Sequence, residues 1–141
     1  MLKFRKFSFQ PSSFFMKTYD SILAHHLRYR LWIAELNFYI NILRIFDDSI
    51  EMRTTNKQTA NDKKKSTHFR QLIIDIRKEI DDLRHEMHLV KMKLAAHARE
   101  EKPSLDESLQ SSTDQTILKR FSSMQKRFEQ LKEDFIRFEI P

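Results

Sequence analysis

The chain has 141 residues, about one domain on the usual length prior. It holds no glycine and no cysteine, is 33% charged and 40% apolar, and carries a formal net charge of +6. The missing glycines exclude most phosphate-cradling loops, dinucleotide turns and nucleophile elbows, which need backbone angles or close approaches that glycine adopts most easily. The missing cysteines exclude disulfides, thiolate metal sites, iron–sulfur clusters and cysteine nucleophiles.

The N-terminal segment holds Lys3, Arg5, Lys6 and Lys17 and no acid before Asp20, with Phe4, Phe7, Phe9, Phe14 and Phe15 interspersed. Three readings stand side by side: an ordinary tail, a basic and acid-poor targeting segment, or an extension ahead of a start at Met16. The division is a tail over 1–12 and a helical bundle over 13–141. Lys3, Phe4, Arg5, Lys6 and Phe7 are the tail's candidate contacts. An acidic membrane surface or single-stranded nucleic acid would meet them by cationic attraction with aromatic insertion or stacking. No run of about 18 apolar residues follows, as a bilayer span requires. Cytoplasm is the default compartment.

The first helix is expected over about 13–53. Alternating steps of four and three carry Phe15, Tyr19, Ile22, His26, Tyr29, Ile33, Leu36, Ile40, Leu43, Asp47 and Ile50, the period of a coiled-coil seam. This helix holds more apolar residues than one seam needs. Leu23, Leu27, Leu31, Ala34, Phe38, Ile42 and Ile45 lie off it, as do Trp32, Tyr39 and Phe46, each seven residues apart. Only Arg30, Asn37, Asn41, Arg44 and Asp48 form a polar strip. A helix apolar on most sides is buried on most sides. The expected cover is a second copy, since symmetric self-association is the commonest assembly of soluble chains. The interface expected is Leu31, Trp32, Phe38, Tyr39, Ile42, Ile45 and Phe46. The rival reading makes this helix merely the centre of the bundle, with exposed aromatics at its margins. Arg28 and Glu35, one heptad apart within the apolar arc, read as charges that fix alignment.

Residues 54–65 are polar and lysine-rich and read as a loop. A second helix follows over about 67–101, capped by Ser66 or Thr67, with Pro103 just beyond. Its seam is Phe69, Ile73, Ile76, Ile80, Leu83, Met87, Val90, Leu94 and His97. Residues 103–112 read as a loop or short turn. The third helix is expected over about 113–138, opened by a Ser112-x-x-Gln115 capping box. Its seam is Ile117, Phe121, Met124, Phe128, Leu131, Phe135 and Phe138.

His26, His97 and Glu101 fall at one end of such a hairpin and are candidate metal ligands. Asp81, His85 and His88 share the outer face of the second helix and read as solvated. No cofactor is expected. The excess charge sits in residues 1–19 (+4) and 54–65 (+3), leaving the helical body near neutral. Duplex DNA recognition wants a contiguous basic stripe, which this distribution does not supply.

The fold class expected is all-α: an elongated, antiparallel, up-down-up bundle of three helices with coiled-coil-like heptad packing. The function expected is a non-enzymatic scaffold or adaptor acting through helix–helix contact, as a homodimer or with another helical protein. The alternatives are a protein associating with membrane or single-stranded nucleic acid through its tail, and a metal-binding bundle.

Overall fold

The computed structural model describes residues 14–56, 58–99 and 107–140, with side chains from Ser21 in the first segment and Ser108 in the third. Three helices account for nearly all of it: α1 (Phe14–Thr54), α2 (Ala60–Arg99) and α3 (Glu107–Glu139). The three prolines, at 11, 103 and 141, all fall outside them. With no proline or glycine inside, nothing breaks the backbone ladder, and α1 runs about 60 Å at 1.5 Å per residue.

Two helices start earlier than their apolar periods suggest. α2 begins at Ala60, so Lys63, Lys64 and Lys65 are helical and the connection is only 55–59. Lysine is a good helix former, and polarity alone does not make a loop. Thr59 is the cap: its Oγ1 accepts the Asp62 amide at 3.1 Å. Ser66 and Thr67 are not caps. Ser66 is buried in the helical seam, and the Thr67 hydroxyl donates to the Lys63 carbonyl at 2.9 Å. α3 begins at Glu107, which places Ser112 and Gln115 inside the helix; the Ser112 carbonyl accepts the Thr116 hydroxyl at 3.0 Å. The early seam positions of α3 are Gln110 and Asp114, polar residues that hide the period.

The helices run up, down and up. Arg84 of α2 donates to Asn37 of α1 at 2.8 Å, which sets the α1–α2 hairpin. Arg120 and Arg127 of α3 pair with Glu86 and Glu79 of α2, the ascending order meeting the descending one. α1 and α3 are therefore parallel. The seams converge on one axis, where Tyr29, Leu36, Leu43 and Ile50 of α1 meet Ile80, Met87 and Leu94 of α2, all fully enclosed. Each such side chain stabilises the fold by about 1.5–3 kcal/mol. The exposed ion pairs add at most about 1 kcal/mol each, so the apolar seam decides the architecture. No helix among the described residues is long and apolar enough to cross a membrane.

Candidate functional site

Heptad packing sorts the side chains of α1 into columns seven residues apart. One column is His25, Trp32, Tyr39, Phe46 and Arg53, and all of it lies against α3. Trp32 meets Phe121 with ring centroids 6.0 Å apart. Tyr39 stacks on Phe128 at 4.3 Å, and Phe46 on Phe135 at 4.4 Å. The Arg53 guanidinium sits 4.2 Å over the Phe138 ring and 3.6 Å from Glu139. Three rungs of one column thus match three rungs of another at the same spacing.

This corrects the expected interface at Tyr39 and Phe46 and narrows it at Trp32 and Ile42. Tyr39 and Phe46 are buried within their own chain, and Trp32 and Ile42 are partly buried against the core. α3 covers Trp32, Tyr39 and Phe46 because its aromatic column has the same seven-residue step. Leu31, Phe38 and Ile45 remain open, at 62%, 58% and 60% exposure. They belong to a different column, Ala24, Leu31, Phe38, Ile45 and Met52, which points away from both partner helices and is exposed throughout. Leu27 and Ala34 lie beside it and are also exposed. Met52, at 71% the most open of the set, is the member that sequence reading passed over, although the same seven-residue step reaches it. The outward seam of α1 is therefore narrower and longer than expected.

Charges flank this seam unevenly. Arg28, Arg30 and Glu35 stand along its first half, and Arg44, Asp48 and Glu51 along its second. Glu35 is exposed and accepts Gln125 of α3 at 2.9 Å. Arg28 and Glu35 are thus surface charges and not the buried alignment pair their place in the apolar arc suggested.

A polar cluster sits where the α1–α3 column runs out of aromatic rungs. Asp114 accepts from His25 Nε2 at 2.8 Å, from Gln110 Nε2 at 2.8 Å and from the Tyr29 hydroxyl. His25 Nδ1 lies 3.1 Å from the Ser21 carbonyl. Both ring nitrogens thus face oxygens. Burial, followed by the Asp114 hydrogen bond and charge, pushes the Tyr29 phenol well above its ordinary range. The cluster ties α1 to α3. No sequence signal pointed to it, because its partners lie 85 and 89 positions apart.

The remaining candidates scatter. Desolvation, helped by Arg30 and Lys91, holds His26 below its ordinary range, and those two cations oppose a bound metal. His97 is partly buried and Glu101 lies outside the described residues. Among the described residues no three ligating side chains group to hold a metal. His85 is exposed, Asp81 pairs with Arg84 at 3.1 Å, and His88 is held low by burial and by Lys91 and Arg84. Lys3, Phe4, Arg5, Lys6 and Phe7 also lie outside the described residues. No protein-family model matches this chain, and neither the curated proteins nor the solved structures contain a significant match.

Proposed function

We propose that this protein is a non-enzymatic scaffold that works by docking α1 against another helix, and that the partner is a second copy of itself. The observation that supports this is the outermost column of α1. A position facing away from both neighbouring helices is normally polar, yet Ala24, Leu31, Phe38, Ile45 and Met52 are apolar at every step. Single exposed apolar side chains need no explanation, but a continuous row does. The row offers burial area and presents no nucleophile or ligand set, so its work is contact.

The test is mass in solution. At micromolar concentration the chain is expected to sediment at twice 17.2 kDa. Phe38→Asp with Ile45→Asp is expected to halve that mass while far-ultraviolet circular dichroism keeps its helical signal. A wild-type chain sedimenting as a single subunit refutes the reading.

A further inference from the structure

The direction in which two such seams meet is written in the flanks of α1. We propose that two copies pack α1 against α1 in antiparallel orientation, the Ala24 end of one beside the Met52 end of the other, about a two-fold axis near Phe38. This rests on the self-docking reading above and assigns its geometry.

Three observations carry it. The first is charge. Arg28 and Arg30 flank the first half of the seam with the single acid Glu35, while Asp48 and Glu51 flank the second with the single cation Arg44. Glu35 keeps its charge beside the neutral Gln125 amide and Arg53 is paired with Glu139, so the first half is net cationic by one and the second net acidic by one. A parallel pair sets cations beside cations and acids beside acids. An antiparallel pair sets the cationic half of each copy on the acidic half of the other. The second is size. The smallest side chain of the column, Ala24, lies at one end, the long Met52 at the other, and the largest ring, Phe38, at the centre. Antiparallel packing faces the thin end with the thick end and keeps the helix separation even; parallel packing puts Met52 on Met52 and splays the pair. The third is extent. Ala24 to Met52 spans about 42 Å, and a strip about 12 Å wide over that length, counted on both copies, reaches the ~1,000 Å² of a specific interface.

The chain has no cysteine, so introduced thiols report without interference. Ala24→Cys and Met52→Cys are made singly in the full chain and treated with a short bis-maleimide. In the antiparallel pair neither variant cross-links alone, because its two copies of the thiol lie at opposite ends. Mixed after exchange, they yield a covalent dimer. Self-cross-linking of either variant with no mixed product overturns the orientation and leaves self-docking standing. A dimeric mass with no cross-link in any arm overturns it too, since the seam is then not the contact.

Charge reversal supplies the second arm. Arg28→Glu with Arg30→Glu makes both halves acidic, and Asp48→Lys with Glu51→Lys makes both basic. Each pair is expected to weaken self-association about tenfold at low salt, and all four changes in one chain to restore it. A parallel dimer keeps like against like in every variant, so unchanged affinity throughout overturns the proposal. A single-subunit mass for the wild type, with or without sedimentation on phosphatidylglycerol vesicles, overturns both this geometry and the self-docking reading.

Discussion

α1 and α2 are nearly equal in length, 41 and 40 residues, and each gives a full seam to the same core. Their outward columns are opposites. α1 shows Ala24, Leu31, Phe38, Ile45 and Met52; α2 shows Gln71, Lys78, His85, Met92 and Arg99. α2 is the ordinary amphipathic helix, finished once its inner face is covered. α1 has a covered face and an uncovered one that follow the same period. Hydrophobicity therefore does not by itself identify the core: Phe38 and Tyr39 are adjacent aromatic residues of which one is 58% exposed and the other 6%. The column decides which is enclosed.

The largest effect that sharpens this contrast comes from the inner face. Leu36 is fully enclosed, and Leu36→Ala is expected to cost about 2–5 kcal/mol in urea unfolding at every chain concentration. The polar cluster comes next. Asp114→Ala strands the buried Tyr29 hydroxyl and Gln110 and is expected to cost about 1–3 kcal/mol. Adding Tyr29→Phe should recover part of that loss, because the stranded donor is then removed; a double-mutant cycle measures the coupling. The outer face of α1 should behave differently from both. A tenfold rise in chain concentration is expected to stabilise the wild type by about 1.4 kcal/mol per mole of dimer, and Phe38→Asp should abolish that dependence. The equivalent change on α2, Lys78→Asp, should leave it intact. Equal behaviour of the two variants breaks the contrast.

Acid and alkali probe the same faces more weakly. Tyr29 and Tyr39 both titrate above the ordinary tyrosine value, chiefly through burial. Unfolded chains therefore lose those protons first. The contribution is whole below about pH 10 and falls as pH rises past it. His26 and His88 are held below their ordinary value, so unfolded chains take up protons first. Their contribution is whole above about pH 6.5 and shrinks as pH falls. Thermal melts across pH, with Tyr29→Phe as control for the alkaline limb, test both signs. The smallest effect belongs to the surface pairs. Arg120 pairs with Glu86 while both stay largely open, and Arg120→Ala should cost under about 1 kcal/mol and less at high salt.

Much of this was legible in the residue order. The four-three alternation from Ile22 to Ile50 marks the buried face of α1, and the surplus of apolar residues beyond it is real. Helix starts were harder. Lys63–Lys65 look like loop because they are polar on all sides, yet the Thr59 hydroxyl, accepting the Asp62 amide, caps α2 ahead of them. Gln110 and Asp114 interrupt the apolar period of α3 because they serve a polar contact there. The fate of Trp32, Tyr39 and Phe46 was not legible. Their spacing shows that they share a column, and the spacing of Phe121, Phe128 and Phe135 shows another. That the two columns meet depends on how the chain returns after α2, a tertiary matter that no local period records.

The stacked rings between α1 and α3 carry one further consequence. Three rungs at equal intervals look alike to one another, so sliding α3 by one interval would still leave ring on ring for two of them. Stacking energy alone therefore penalises such a slip only partly. The ends lift that ambiguity, because His25 and Tyr29 both reach Asp114 of α3 at the top and Arg53 finds Phe138 and Glu139 at the bottom. A displaced α3 would lay Phe121 against the histidine and leave the carboxylate only Gln110 of its own helix as donor. Loss of either end should thus show first as exchange between staggered forms, visible as doubled aromatic resonances, before it shows as unfolding.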